Sequence, residues 1–181
     1  MTSLVDKIVE LHLTLKRSET PHGFGGALAL AWCTQQARGT IDIDVNLFLD
    51  HGEFESVLAV LPDAVEVTDQ TRSQLARDGQ TRLWWQKTPL DLFFNTTPFH
   101  ADVARRVRFE SFAGEQIPFL ACRDVAVFKA FFSRDKDWTD LRAMAEAESL
   151  DFESVIGVLA LHLGGGDERI AKLRQIALDH T

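Results

Sequence analysis

The chain has 181 residues, 45% of them hydrophobic, and no biased tract, so it can bury one sizeable core with a small appended subdomain and needs no staples. Its 27 acidic residues outweigh 19 basic ones to give a formal net charge of -8, which excludes a broad nucleic-acid-coating surface but leaves room for a local basic groove. The start, MTSLVDKIVE, carries charge where a signal peptide needs its apolar stretch, and no run approaches the roughly 18 apolar residues of a membrane span, so no membrane association and a cytoplasmic location are expected.

Residues 3–16 set Leu4, Ile8, Leu11 and Leu15 at helical spacing behind Ser3 as N-cap, which predicts an amphipathic packing helix. A second helix is expected from about Gly26 to Ala37, then a turn at Arg38-Gly39-Thr40 and a strand from Ile41 to Leu49. In that strand Ile41, Ile43, Val45, Leu47 and Leu49 alternate with Asp42, Asp44, Asn46 and Phe48, so the odd positions are assigned to the core. FESVL and the residues after it (54–61) read as a helix, AVEVT (64–68) as a short strand, and TRLWWQ (81–86) and LDLFFN (90–95) as strands joined at Lys87-Thr88-Pro89. A short helix near 98–106 precedes a strand pair around Ala113-Gly114-Glu115. From Cys122 the pattern is helical, broken at GGGDER (164–169), where Asp167 is placed to cap a last helix.

The expected fold class is α+β: a domain over 1–121 with a small mixed β-sheet flanked by helices, followed by a helical C-terminal subdomain over 122–181 packed on it. No internal repeat occurs. GFGGAL (23–28) matches only part of the dinucleotide-binding G-x-G-x-x-G pattern and has no clear strand before it, so a Rossmann reading fails. Cys33 and Cys122 lie beside apolar residues, outside any C-x-x-C or Cys/His cluster, and read as separate small buried hydrophobes in a reducing compartment.

Asp42 and Asp44 are the anomaly of the 41–49 strand. Positions two apart on a strand share a face, with backbones roughly 6–7 Å apart, and two like charges there repel unless a cation sits between them. A divalent ion bound by carboxylate oxygens resolves that repulsion. Gly25-Gly26 opens the preceding helix, where missing side chains and N–H groups suit a phosphate. Arg38 and Thr40 supply a guanidinium and a hydroxyl just before the aspartates, and Asp91 is a third carboxylate inside an apolar strand. A solvated strand face is the bland alternative.

This order of motifs resembles the DNA polymerase β-like nucleotidyltransferase superfamily: Gly-Gly at a helix start, D-x-D on a strand, and a third aspartate on a later strand. The stretch GGALAL to RGTIDIDV is most similar to the prokaryotic small nucleotidyltransferases that include AbiEii-type toxins, whose R-x-T-x-D-[IL]-D stretch is matched by Arg38, Thr40, Asp42 and Asp44. The same branch carries a helical D-h-h-h-x-K followed by K-D-x-x-D-L, for which 123–144 offers Asp124, Lys129, Lys136, Asp137 and Asp140. The resemblance spans roughly 22–144.

What the resemblance implies is transfer of a nucleotide monophosphate from an NTP to a hydroxyl acceptor with release of pyrophosphate. Asp42, Asp44 and Asp91 would be catalytic and hold two Mg²⁺ ions, or Mn²⁺, while Gly25, Gly26, Arg38 and Thr40 would bind the nucleotide. Lys129 is an accessory candidate, set against a snorkelling stem among Phe128, Phe131 and Phe132. The acceptor is open between an RNA end, met by a patch such as Arg105, Arg106 and Arg108, a protein side chain and a small molecule. A cognate protein partner in a toxin-antitoxin or phage-defence pair belongs to the same resemblance. The alternative is a non-catalytic binding or regulatory module on the same fold.

Three further features bear on the site. Asp42, Asp44, Asn46, Asp50 and Glu53 mimic calcium-loop spacing, but the loop's glycine position is Leu47 and the alternation makes a strand. His22 is near enough in sequence to Gly25 to contact a phosphate or acceptor. Trp84-Trp85 and Phe93-Phe94 should each send one ring to the core and the other toward a cleft.

Overall fold

The computed structural model describes residues 2–36 and 39–180. Ser3 caps the first helix, α1 (Leu4–Arg17), by accepting the Asp6 amide while the Asp6 carboxylate takes the Ser3 amide. The apolar stripe of α1 buries Ile8, Leu11 and Leu15 completely.

Among the described residues, β1 (His22–Phe24), β2 (Ile43–Asp50), β3 (Val65–Glu66), β4 (Gln80–Trp85), β5 (Thr88–Asn95), β6 (Arg108–Phe112) and β7 (Glu115–Phe119) form one mixed sheet in the order β3-β4-β5-β2-β1-β7-β6. The centre is the parallel pair β2–β5, flanked by antiparallel β4 and β1. Period-two alternation puts Ile43, Val45 and Leu47 opposite Leu90, Leu92 and Phe94, and all six are buried on one face. α1 covers that face: Lys7 Nζ donates to the Trp85 carbonyl at 2.8 Å and the Thr88 hydroxyl at 2.9 Å. Each fully buried aliphatic or aromatic side chain contributes about 1.5–3 kcal/mol, so this layer anchors everything displayed on the opposite face.

Several boundaries differ from the sequence expectation. β2 starts at Ile43 and runs to Asp50, and Ile41 is 77% exposed instead of buried, because periodicity alone does not reveal where pairing begins. The β4–β5 turn is Gln86-Lys87, with Gln86 at φ +58°, so Thr88 and Pro89 belong to the strand. A helix that apolar spacing does not announce, α4 (Asp69–Asp78), buries only Leu75 and is set by its ends: Thr68 accepts the Thr71 amide, and Gly79 closes it at φ +65°. α3 (Phe54–Leu58) is short, as is α5 (Pro98–Val103), which Thr97 caps.

The chain divides into two compact units, 1–28 with 39–120, and 29–38 with 121–181. The helix α2 (Gly26–Thr34) gives its first turn to the former and the remainder to the latter. The second unit also contains α6 (Cys122–Phe132), α7 (Asp135–Glu146), α8 (Phe152–Leu163) and α9 (Glu168–Asp179), with Leu141, Met144, Val155, Leu159, Ile170 and Leu173 buried. Asp167 caps α9 through the Arg169 amide, as its position predicts.

The cysteines correct an expectation. Cys33 on α2 and Cys122 at the start of α6 form a disulfide within the second unit, across 89 residues of sequence. No spacing rule reveals a pairing that distant, and with it the argument for a reducing compartment loses its footing. Among the described residues no helix is long and apolar enough to cross a membrane.

Candidate active site

The face of the sheet opposite α1 carries the polar anomalies of the sequence. Asp44 on β2 and Asp91 on β5 are direct partners in the parallel register, so their side chains stand on one face of adjacent strands, which run about 4.8 Å apart. Asp42 precedes Asp44 by two residues, just before β2 begins. The Thr40 hydroxyl donates to Asp42 Oδ1 at 2.5 Å, and Thr40 Oγ1 accepts the Asp42 amide at 3.3 Å. Thr40 therefore orients the first carboxylate, which differs from the phosphate contact expected of it. Arg38 lies outside the described residues.

The two glycines are shaped to Asp44. Gly26 opens α2 at φ +54°, and a Cβ built there would stand 1.9 Å from Asp44 Oδ2. Only glycine fits, on both backbone and steric grounds. The Gly25 amide donates to the Asp44 carbonyl at 2.9 Å, and a Cβ on Gly25 would meet Asn46 Nδ2 at 3.0 Å. One N–H expected to be free for phosphate is thus spent on tying the start of α2 to β2 beside the carboxylate.

Arg82 is the residue that sequence reasoning missed. It lies opposite Asp91 on β4, and its guanidinium grips that carboxylate through both oxygens, Nε to Oδ1 at 2.7 Å and Nη2 to Oδ2 at 2.6 Å. Nη2 is also 3.8 Å from Asp42 Oδ2. The hydrogen bonds that Arg82 donates to Asp91, then the negative charges of Asp91, Asp42 and Asp44, hold Arg82 protonated well above the ordinary arginine range despite partial burial. The period-two pattern of β4 held the signal: Gln80, Arg82 and Trp84 all point away from the core. Trp84 is 46% exposed on that face while Trp85 is buried, and Phe94 is buried while Phe93 is intermediate, so each aromatic pair splits as expected.

Hard oxygen donors from the carboxylates, beside a cradle in which Asp44 excludes any Cβ, match in kind what Mg²⁺ or Mn²⁺ requires. Arg82 is a stand-in cation at the same oxygens. As the side chains stand, no three His, Cys, Asp or Glu among the described residues converge on a metal position. The donor set fits in type, and as the side chains stand both Asp91 oxygens are engaged by Arg82.

Three expectations end elsewhere. His22 pairs with Leu47 in register, so its ring lies on the α1 face, opposite the aspartates. Its Nδ1–H donates to the Thr20 carbonyl at 2.7 Å, which leaves Nε2 to accept from His12 Nδ1 at 3.0 Å. Burial lowers the pKa of His22 to about 4. Lys129, in the second unit, donates to Asp140 Oδ2 at 2.7 Å and lies 3.7 Å from Asp137 Oδ1, so its ammonium is engaged in a buried pairing, not a snorkelling stem. Burial pushes the Asp137 carboxyl up, but hydrogen bonds and charge from Arg134, with the charge of Lys129, outweigh it and leave the group below its ordinary range. The calcium-loop rival fails in detail, because Asp50 and Glu53 form a reciprocal cap around the turn His51–Glu53.

Comparison with solved structures identifies the fold. The solution structure of the antibiotic-resistance factor ANT(2'')-Ia matches with a TM-score of 0.57 at 14% identity, over 97% of this chain and 95% of that one. ANT(2'')-Ia in complex with adenylyl-2''-tobramycin matches at 0.58 and 11% identity, over 98% of both chains. An antigenic nucleotidyltransferase-like protein from Paracoccidioides brasiliensis matches at 0.52 and 15%, over 93% of this chain and 91% of that one. No protein-family model matches the chain, and no curated protein matches it in sequence. The mixed sheet and its helices form a nucleotidyltransferase fold.

Proposed function

We propose that this chain is a metal-dependent nucleotidyltransferase that moves a nucleotide monophosphate from an NTP to a hydroxyl acceptor and releases pyrophosphate. The observation that supports it is the juxtaposition at β2 and β5: Asp44 beside Asp91, Asp42 on the same face, and Gly26 fitted around the Asp44 carboxylate. Asp42, Asp44 and Asp91 would hold two Mg²⁺ ions, or Mn²⁺. When bound, such ions neutralise phosphate charge and lower the pKa of an attacking hydroxyl. The protein's own share is positioning: Thr40 orients the Asp42 carboxylate, and the α2 start is tied to the Asp44 backbone. Gly25, Gly26, Arg38 and Thr40 would bind the nucleotide, as the resemblance implies.

A small-molecule acceptor suits the chain better than a nucleic acid. The net charge is -8, and two arginines of the candidate basic patch are engaged locally, Arg105 with Asp102 and Arg108 with Glu110. A structural neighbour, ANT(2'')-Ia, is known with an adenylylated small molecule, adenylyl-2''-tobramycin. Resemblance of the R-x-T-x-D-I-D stretch to AbiEii-type toxins sets a cognate protein partner and a cytoplasmic toxin-antitoxin or defence setting within the proposal.

Incubation with each labelled NTP, Mg²⁺ and fractionated cell extract tests the reading: one fraction gains label, and Asp44→Asn abolishes the gain while circular dichroism stays unchanged. Full labelling by Asp44→Asn overturns it. The second reading, a non-catalytic binding module, draws on the grip of Arg82 on Asp91, and absence of label under every condition supports it.

A further inference from the structure

The proposed metal site contains its own competitor. β5 lies between β4 and β2, so Arg82 and Asp44 approach Asp91 from opposite sides. The guanidinium fork engages both Asp91 oxygens and leans toward Asp42, so Arg82 bridges two of these carboxylates. A divalent ion shared by Asp42, Asp44 and Asp91 would draw on the same Asp91 oxygens that the fork already engages. We infer that Arg82 is a positioning residue that competes with the divalent cation for Asp91, so that metal binding requires the fork to open.

The inference rests on the metal reading above and adds an exchange step to it. Arg82 yields by rotation, which its side chain, 50% exposed, permits, whereas Asp91 is only 15% exposed. Removing a nearby positive charge tightens cation binding on electrostatic grounds alone, and that gain persists when Asp91 is replaced, whereas a gain that needs Asp91 marks a competitor.

Direct Mn²⁺ binding to the full chain, followed by the electron paramagnetic resonance signal of the free ion, separates these. Arg82→Gln is expected to tighten Mn²⁺ about tenfold, the factor that corresponds to about 1.4 kcal/mol. Arg82→Lys, which keeps the charge without the fork, falls between that variant and the wild type. In an Asp91→Asn background the Arg82→Gln gain disappears, because the contested oxygens are gone. Unchanged or weaker binding by both Arg82 variants overturns the competition and leaves the metal reading standing. No Mn²⁺ binding by any variant, with or without NTP, overturns both.

Discussion

Gly26→Ala is the sharpest test of the site because it touches Asp44 without replacing a carboxylate. The new methyl would sit 1.9 Å from Asp44 Oδ2 and 2.5 Å from its Cγ, far inside contact distance. Retreat of α2 is opposed by the Gly25 amide bond to the Asp44 carbonyl and by Gly25 itself, packed on Asn46. The Asp44 side chain must therefore rotate away. An L-residue at φ +54° costs about 1 kcal/mol, and an off-rotamer aspartate about 0.5–1.5 kcal/mol, for a total of about 2 kcal/mol. That is a fraction of the about 5–15 kcal/mol that holds a domain together, so the variant folds. Urea unfolding should report the loss, and the labelled-NTP assay should fall as far as it does in Asp44→Asn. Gly157→Ala, exposed in α8 with open space around it, is the control of opposite sign, expected to gain about 0.5–1 kcal/mol. Wild-type stability and full transfer in Gly26→Ala would refute the fit between glycine and carboxylate.

Acid should destabilise the fold through His22. Its folded pKa of about 4 lies below the ordinary value of 6.5, so the stability it contributes is complete above that value and is lost as pH falls toward the folded pKa. From this group alone, unfolding free energy drops by about 2 kcal/mol between about pH 7.5 and pH 5, and His22→Gln flattens that part of the profile. His12, lowered by burial and by Lys16 against the pull of Glu115, acts in the same direction. Reduction of the Cys33–Cys122 disulfide should lower stability by about 2–4 kcal/mol, as its loop spans 89 residues, and Cys33→Ala should match the reduced protein in urea unfolding. Equal midpoints for oxidised and reduced protein would remove the bond from the stability account.

How much of this was legible in the sequence follows from how far each signal reaches along the chain. Local rules exposed α1 through its Ser3 cap and apolar stripe, β2 through its alternation, and Asp42 and Asp44 as carboxylates sharing one face. They missed α4, where the caps carry the helix and a single buried leucine leaves no stripe. They placed Ile41 in the core, because alternation persists beyond the point where strand pairing stops.

Contacts between distant segments needed the tertiary structure. That Asp91 stands beside Asp44 depends on parallel register between strands more than forty residues apart, in which Leu90, Leu92 and Phe94 are buried opposite Ile43, Val45 and Leu47. Arg82 carries no motif, and only the antiparallel β4–β5 pairing turns it toward Asp91. Gly25 and Gly26 could be found by sequence, but the reason for them, an α2 start pressed against a carboxylate, is a fact of packing. So is the turning of His22 to the far face. Residue type and period along one segment decide which chemistry is available. Strand register and helix placement decide which of those groups meet.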